Sequence, residues 1–162
     1  MFQVPEGLRG GALSSTPSDR GILDGPSGML LNHSMAKKRL LIVDDDVGLT
    51  DLLHINLEDT GDYEVQVVND SKHAISSTRE FQPDLILLDI VMPGLDGGEI
   101  RNMLREDPEL RDIPILVLTA LVSSEDAGEE PVIHSGDQVM LPKPFRTPQL
   151  IQAIENTIAE AR

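Results

Sequence analysis

Short runs of apolar residues recur along the chain, and each run is followed by a polar side chain that can act chemically. Three or four consecutive apolar residues bounded by turn residues are typical of a strand covered on both faces, as in a parallel sheet. Because the carboxyl ends of parallel strands share one edge, we expect the polar residues to lie together there. The runs are residues 40–43 before Asp44, 85–88 before Asp89, 115–118 before Thr119, and 139–141 before Pro142 and Lys143.

Segments with apolar residues at helical spacing lie between these runs. A helix is predicted after the first run, where Leu49, Leu53 and Leu57 recur and Gly61 provides a stop. Residues 63–68 alternate in polarity and are predicted to form a further strand. The other predicted helices run from Asp70 or Ser71 to about Glu80, over about 99–106, and from a cap at Thr147 onward with Pro148 in the first turn.

Five strands alternate with helices in this interpretation, which is the arrangement of successive βα units. Right-handed crossovers then predict an α/β fold with a doubly wound, parallel five-stranded sheet in the flavodoxin-like order 2-1-3-4-5. The first and third strands flank the switch point of such a sheet, so residues 44–46 and Asp89 should converge. Gly128 and Pro131 interrupt residues 122–135, and a helix there should be short or frayed.

The first 35 residues differ in composition from the rest of the chain. They are rich in Gly, Ser and Pro and show no sustained hydrophobic period. Such a segment buries too little apolar surface to offset the entropy of ordering it. We therefore expect residues 1–35 to form a disordered N-terminal extension and residues 36–162 to form one folded domain.

Charge and composition exclude several classes of function. The 28 acidic and 13 basic residues leave a net charge of −15, which disfavours binding to nucleic acid phosphates. Aromatic residues make up only 2% of the chain, so platforms for base stacking are missing as well. The absence of cysteine excludes disulfides and thiolate chemistry and fits a cytoplasmic location. No stretch approaches the roughly 20 apolar residues of a membrane helix, and we expect no membrane partner.

The acidic residues expected at the sheet edge form a candidate metal site. Crowded carboxylates repel one another unless a cation intervenes, and Mg²⁺ prefers carboxylates, water and phosphate oxygens as ligands. We expect Asp45 and Asp89 to bind Mg²⁺ directly, Asp44 to bind it directly or through water, and the backbone carbonyl of Val91 to complete the site. Residues 44–46 could instead merely cap the helix that follows them.

Asp89 is also the best candidate for a nucleophile, because aspartate carboxylates can form aspartyl-phosphate intermediates. Phosphoryl transfer depends on positioning and on neutralising the charge of the transferring oxygens. The Thr119 hydroxyl and the Lys143 ammonium would contribute to both. Each residue alone has an ordinary structural explanation, such as a strand end or a solvated amine, but their occurrence after successive core strands favours a common site.

Together these residues resemble the receiver domain of response regulators in two-component signalling, in particular stand-alone, chemotaxis-regulator-like receivers. The resemblance covers residues 37–162 and implies that a histidine kinase or a histidine phosphotransfer protein donates a phosphoryl group. The matching motifs are Leu-Ile-Val-Asp-Asp-Asp at 41–46, Leu-Leu-Asp-Ile-Val-Met-Pro-Gly-Leu-Asp-Gly at 87–97, Leu-Thr-Ala at 118–120 and Lys-Pro-Phe at 143–145.

The resemblance also implies a role for each residue of the candidate site. Asp89 would be the phosphoacceptor, Asp44 and Asp45 the acidic pair that holds Mg²⁺, Thr119 the switch hydroxyl, and Lys143 the contact to the phosphoryl group. No enzyme activity is implied beyond the domain's own phosphotransfer and dephosphorylation. The last predicted helix ends at the terminus, so we expect output through docking to other proteins.

Three positions depart from the pattern of that family. Met140 stands where the family usually has Tyr or Phe, so an aromatic rotamer switch cannot operate, although a flexible thioether could fill the same space. Val91 and Leu121 lie two residues beyond Asp89 and Thr119, at positions that influence hydrolysis of the phosphoryl group in similar domains. An aliphatic pair cannot hydrogen-bond an attacking water, so we expect a long-lived phosphorylated state.

Other functions fit part of the pattern. A haloacid-dehalogenase-like phosphatase would use Asp44 and Asp46, but it needs an acidic cluster after the lysine, and residues 144–162 contain no Asp and only two Glu. A receiver-like scaffold with phosphorylation-independent contacts is motivated by Met140 and the irregular residues 122–135. A nucleotide-binding flavodoxin relative would need a Gly-rich phosphate loop after the first strand, which the sequence lacks.

Overall fold

Strands and helices alternate along the chain in the computed structural model, which describes residues 36–121 and 131–162. The strands are β1 (Lys38–Val43), β2 (Tyr63–Val68), β3 (Leu85–Asp89), β4 (Ile115–Thr119), β5 (Ile133–Ser135) and β6 (Gln138–Pro142). The α-helices are α1 (Val47–Glu58), α2 (Ala74–Phe81), α3 (Gly97–Glu106) and α4 (Thr147–Glu160), and a short 3₁₀ helix (Ser71–His73) precedes α2. The expectation for residues 1–35 lies outside the described residues and stays a prediction.

The six strands form one sheet in the order β2-β1-β3-β4-β6-β5. All neighbouring pairs are parallel except β5 and β6, which are antiparallel. The predicted α/β class, the doubly wound parallel sheet and the order of its five parallel strands are therefore confirmed. The predicted number of five strands is wrong by one, because β5 adds a sixth, antiparallel strand at one end of the sheet.

β5 occupies the end of the region in which a short or frayed helix was expected. Residues 133–135 instead pair with β6 through a tight turn at Gly136 and Asp137. Two residues between paired strands are the commonest connection in a β-hairpin, and glycine suits the first of them. The helical expectation is therefore wrong for residues 133–135, while residues 122–130 lie outside the described part of the chain.

Both faces of the sheet are covered by helices, which explains the continuous apolar runs. In β1, Leu40 and Ile42 pack in a cluster with side chains of α1 and α4, whereas Leu41 and Val43 pack in a second cluster with α2 and α3. All four side chains are completely buried. Burying one such side chain contributes about 1.5–3 kcal/mol to the stability of the fold. The buried strands therefore keep their carboxyl ends in fixed positions.

The strand register brings the polar residues level with one another. Val43 of β1 pairs with Leu88 of β3, so the residues that follow the two pairs, Asp44 and Asp89, are neighbours at the carboxyl edge. Leu118 pairs with Asp89, and Thr119 pairs with Pro142, directly before Lys143. The chemistry-bearing residues thus meet at one edge because the sheet is parallel.

Two helix starts differ from the predictions. α3 begins at Gly97 rather than at Glu99, because Asp96 and Glu99 form a capping box in which each side chain accepts from the other's backbone N–H. Thr147 is the first residue of α4 rather than its cap, so the predicted cap is wrong. The Gln149 side chain accepts a 2.8 Å hydrogen bond from the Arg146 N–H instead. In the described ranges, no helix has the length and apolar character to cross a membrane.

Candidate functional site

Three carboxylates meet at the carboxyl ends of β1 and β3. Asp44, Asp45 and Asp89 each offer an oxygen, and these oxygens all lie within 4.8 Å of one another. Asp44 and Asp89 are buried, with 1% and 6% exposure, whereas Asp45 is exposed. The acidic cluster is therefore reached from solvent on the Asp45 side and is closed by protein beneath the other two acids.

The third aspartate of the run after β1 turns away from this cluster. Asp46 caps α1, where its side chain accepts a 3.1 Å hydrogen bond from the Leu49 N–H. Its own N–H donates to Asp44 Oδ1 at 2.9 Å and so helps to orient that acid. The capping interpretation of residues 44–46 thus holds for Asp46, on which the phosphatase alternative depended as its second acid.

Lys143 bridges the two buried acids through its ammonium group. Its Nζ donates to Asp44 Oδ2 at 2.8 Å and to Asp89 Oδ1 at 3.3 Å. Its backbone N–H donates to the Thr119 carbonyl at 2.8 Å, which extends the pairing of β4 and β6 and fixes where the lysine leaves the sheet. The amine predicted from the end of the last strand therefore lies within hydrogen-bonding distance of both acids.

Burial and charge act in opposite directions on these groups. Burial and the neighbouring Asp44 charge raise the pKa of Asp89, against the effects of Lys143 and of a hydrogen bond from the Val91 N–H. Burial disfavours the Lys143 ammonium, but its hydrogen bond and attraction to Asp44, together with those to Asp89, outweigh burial and raise the pKa of Lys143. The ammonium thus stays protonated between two acids that would otherwise repel each other.

Thr119 lies at the same edge but points its hydroxyl elsewhere. The side chain is buried, with 2% exposure, and among the described residues its oxygen accepts a 3.0 Å hydrogen bond from the Leu121 N–H. The Thr119 backbone carbonyl accepts from the Lys143 N–H, but within the described part of the chain the Thr119 hydroxyl makes no hydrogen bond to Asp89. The expected switch role of the hydroxyl stays a prediction.

The remaining predicted residues surround the cluster at different depths. The backbone N–H of Val91 acts to lower the pKa of Asp89, while the Val91 side chain is 62% exposed. Met140 is half-buried beside Val117 of β4 and Ile133 of β5. It packs against the hydrophobic core on the side of the sheet that α2 and α3 cover. The proposed metal contact of the Val91 carbonyl and the switch role of Met140 stay predictions.

Two residues to which the sequence analysis assigns no role, Gly97 and Asn69, contact the backbone of Asp89 and Asp44. A Cβ on Gly97 would lie 2.4 Å from the Asp89 carbonyl oxygen, so only glycine lets α3 begin this close to the phosphoacceptor candidate. The Asn69 amide donates to the Asp44 carbonyl at 2.8 Å and to Thr50 Oγ1 at 2.9 Å. The position of Asn69 directly after a strand next to β1 is the signal that could have identified it.

The donor set suits a hard divalent cation. Its oxygens come from three carboxylates, one of them exposed, and mutual repulsion of the two buried acids is only partly relieved by a single lysine. Mg²⁺ binds through a small number of carboxylates and retains water, for which the exposed side of the cluster leaves access. The residues present therefore fit a magnesium ion.

The fold and the site together define a class of protein: a doubly wound α/β domain with an acidic cluster and a lysine at its switch point. Residues 40–155 match the family model described as the response regulator receiver domain. The chain belongs to this family, and it is a receiver domain of the two-component response regulators.

Individual proteins of the same class match over most of the domain. The DNA-binding dual master transcriptional regulator RpaA of a Synechocystis species is 39% identical over 72% of this chain and 47% of that protein. The polar-differentiation response regulator DivK of Brucella anthropi is 31% identical over 78% of this chain and 100% of that protein. The crystal structure of the chemotaxis protein CheY4 of Vibrio cholerae is similar, with a TM-score of 0.63 and 29% identity over 75% of this chain and 99% of that one. The chain spans about half the length of RpaA and of the MtrA response regulators that it also matches.

Proposed function

We propose that this receiver domain is a phosphorylation switch in which Asp89 accepts a phosphoryl group from a phosphohistidine of a partner. The observation that carries the proposal is the position of Asp89, a buried carboxylate at a strand end, within 3.3 Å of Lys143 and beside two further acids. The donor would be a histidine kinase or a histidine phosphotransfer protein. Membership of the response regulator family supports this class of donor.

In the proposed transfer, a carboxylate oxygen of Asp89 attacks the phosphorus atom of the donor. An oxygen–phosphorus bond forms, the nitrogen–phosphorus bond breaks, and its electron pair returns to the imidazole nitrogen. Asp89 must be ionised to attack, and the Lys143 ammonium favours the ionised form against the effect of burial. The rigid end of β3 keeps the attacking oxygen in place, which is the main requirement of phosphoryl transfer.

The same residues would respond to the product. An acyl phosphate at Asp89 carries more negative charge than the carboxylate, so the Lys143 ammonium would move from Asp44 toward the phosphoryl oxygens. The Thr119 hydroxyl would leave the Leu121 N–H and donate to the same group. These shifts would bias the surface formed by residues 120–145, and Met140 would fill the space that an aromatic ring occupies in related domains.

Asp44, Asp45 and Asp89, with the Val91 carbonyl, would hold Mg²⁺ in this mechanism. The ion would supply positive charge that neutralises the oxygens of the transferring phosphoryl group. The burial of Asp44 and Asp89 at fixed strand ends sets the directions of their carboxylates. The exposed Asp45 leaves room for the donor and for water to enter.

We further propose that the output is docking to other proteins, as in a stand-alone, chemotaxis-regulator-like receiver. The matches to DivK and to CheY4 extend over the whole or nearly the whole of those chains, which supports this subtype. A phosphorylation-independent scaffold remains the second candidate, because Met140 stands where the family usually has an aromatic residue and packs, half-buried, against the apolar core. Equal binding of a partner to the wild-type chain and to Asp89→Ala would favour that scaffold.

The proposal is tested by incubating the full chain with acetyl phosphate and Mg²⁺ and measuring its intact mass. We expect the wild type to gain one phosphate and Asp89→Asn to gain none. Asp46→Asn is the matched control, since it changes a neighbouring acid that caps α1 and lies outside the cluster, and an asparagine still caps. No phosphate on the wild type, or equal labelling of Asp89→Asn, would overturn the proposal.

A further inference from the structure

The residues directly after β2 contact both loops of the candidate site without taking part in its chemistry. We name residues 69–71 the brace segment, which consists of Asn69, Asp70 and Ser71. It directly follows β2, the edge strand that pairs with β1, and therefore lies at the carboxyl edge of the sheet beside the end of β1. None of its side chains belongs to the acidic cluster.

Ser71 holds the loop that follows Asp89. Its side chain is buried, with 3% exposure, and its hydroxyl donates to the Pro93 carbonyl at 3.1 Å and accepts from the Leu95 N–H at 3.0 Å. Gly94, between these two residues, has φ of 87° and lies so close that an added Cβ would be 3.1 Å from Ser71 Oγ. One hydroxyl therefore closes the turn between Asp89 and α3 from both sides.

Asn69 holds the other loop, which follows β1. Its amide donates to the backbone carbonyl of Asp44 and to the hydroxyl of Thr50, a completely buried residue of α1. The Thr50 hydroxyl in turn donates to the Val47 carbonyl at 3.1 Å, in the first turn of that helix. Asn69 thus ties the end of β2 both to the backbone of Asp44 and to α1.

The brace segment is itself held in one conformation. The Asp70 side chain accepts a 3.0 Å hydrogen bond from the Lys72 N–H and caps the short 3₁₀ helix that begins at Ser71. Ser71 is therefore fixed through its backbone as well as through its hydroxyl. Removing the hydroxyl would take away the partner of the Pro93 carbonyl and of the Leu95 N–H, and so would break two part-buried hydrogen bonds at once.

We propose that Asn69 and Ser71 are positioning residues that set the spacing of the Asp44 and Asp89 loops and thereby the affinity of the candidate site for a divalent cation. The inference deepens the proposed function and rests on it, since it assumes that the acidic cluster binds Mg²⁺. Hydrogen bonds that orient metal ligands from outside the coordination shell typically change metal affinity by a factor of 10 or more. Ser71 acts on the loop that carries Asp89 and Val91, and Asn69 acts on the backbone of Asp44.

The test compares Ser71→Ala and Asn69→Ala with the wild-type full chain. Ser76→Ala is the matched control, because its exposed hydroxyl donates only to the His73 carbonyl within the adjacent helix. Ser71→Thr keeps the hydroxyl and should restore the behaviour of the wild type. Since Asn69 is exposed, Asn69→Ala remains available if Ser71→Ala does not fold.

Two measurements separate a positioning role from a merely structural one. Without Mg²⁺, amide hydrogen exchange at Leu95 should be faster in Ser71→Ala than in the wild type and in Ser76→Ala. In a calorimetric Mg²⁺ titration, Ser71→Ala and Asn69→Ala should each bind about tenfold more weakly.

The possible results distinguish this inference from the proposed function. If the wild type binds Mg²⁺ and becomes phosphorylated but both variants have the wild-type Mg²⁺ affinity, the inference is wrong and the proposed function stands. Unchanged exchange at Leu95 in Ser71→Ala would also overturn the role of Ser71. A wild-type chain that binds no Mg²⁺ would overturn the proposed function and the effect on cation affinity together.

Discussion

Lys143 Nζ donates a 2.8 Å hydrogen bond to Asp44 Oδ2, across 99 positions of the sequence. The same ammonium lies farther from Asp89, at 3.3 Å. The ammonium thus bonds more closely to Asp44 than to Asp89, the proposed phosphoacceptor. A group held in this way compensates the charge of both acids and can move toward Asp89 when a phosphoryl group arrives.

Replacing Lys143 should destabilise the domain when no Mg²⁺ is added. Lys143→Met keeps the length of the side chain but leaves the buried Asp44 and Asp89 without a positive partner. We expect the free energy of unfolding to fall by about 3 kcal/mol, since removing one partner of a buried ion pair costs about that much. Urea denaturation followed by circular dichroism measures the change.

Added Mg²⁺ should recover part of that loss, because it would place positive charge beside the same acids. Lys72→Met removes an exposed lysine outside the site and serves as control, with little change expected. Equal stability of Lys143→Met and Lys72→Met would show that the ammonium does not compensate the buried acids.

Phosphorylation should change the environment of the Leu121 amide. The Thr119 hydroxyl accepts from this N–H at 3.0 Å, and the proposed movement of the hydroxyl toward Asp89 would break the bond. We expect the amide resonance of Leu121 to shift on phosphorylation in the wild type and to shift much less in Thr119→Ala, which has no such bond to lose. Nuclear magnetic resonance of the labelled protein measures both.

The chain contains a matched internal control for this experiment. The Thr60 hydroxyl accepts from the Asp62 N–H at 3.1 Å in the same local arrangement, but it lies before β2, at the opposite edge of the sheet. The Asp62 resonance should not move. A Leu121 resonance that stays in place on a fully phosphorylated chain would exclude the proposed shift of Thr119.

The phosphorylated state should be long-lived. Val91 and Leu121 flank the site and are 62% and 70% exposed, so they border the path of an attacking water without offering it a hydrogen bond. We expect a half-life of many minutes or longer in Mg²⁺ buffer and faster decay in Val91→Asn, whose amide can orient water. Met103→Asn, an exposed apolar position on α3, is the control. A wild-type half-life of seconds would reject this expectation.

The stability of the domain also depends on three polar residues, Lys38, Tyr63 and Glu155, which meet where β1 and β2 begin, at the end of these strands opposite to the candidate site. The Glu155 carboxylate of α4 accepts hydrogen bonds from the Lys38 amine and from the buried Tyr63 hydroxyl. Partial burial disfavours the charged form of Glu155, but these two hydrogen bonds outweigh it and lower its pKa. Glu155→Gln should therefore lower the free energy of unfolding at neutral pH by about 1 kcal/mol, because the cluster is partly exposed.

The pH dependence follows from the direction of that shift. A carboxyl whose pKa is lower in the folded state stabilises it at pH values above the unfolded pKa, about 4.3 for Glu, and this contribution is lost as the pH falls through the folded value. The difference between wild type and Glu155→Gln should be constant near neutral pH and should shrink below about pH 4. Labelling by acetyl phosphate should be unaffected, and a loss of labelling would contradict the separation of the two edges.

The sheet order and the meeting of the acids with Lys143 could be predicted because strands covered on both faces leave a simple mark in the sequence. Their apolar runs show where each strand ends, and parallel pairing brings those ends to one edge. β5 left no such mark. Its three residues are too few to show a period, and its place in the sheet is set by a two-residue turn at Gly136.

Other features depend on partners that the sequence does not reveal. Asp44, Asp45 and Asp46 are chemically identical, and only the start of α1 decides that Asp46 becomes the cap. Ser71 bonds to backbone groups of residues 22 and 24 positions away, and backbone groups occur at every position. The sequence therefore predicts a helix cap at Asp70 or Ser71, whereas in the structure Asp70 is the cap and the Ser71 hydroxyl holds the loop after β3.

The most direct test of the proposed function is to identify the residue that carries the phosphate. Borohydride reduces an aspartyl phosphate to homoserine, so treatment of the phosphorylated chain followed by peptide mass spectrometry locates the modified residue. We predict homoserine at position 89 alone. Homoserine at position 44 or 45, or at an acid outside the cluster, would contradict the assignment of Asp89 as phosphoacceptor.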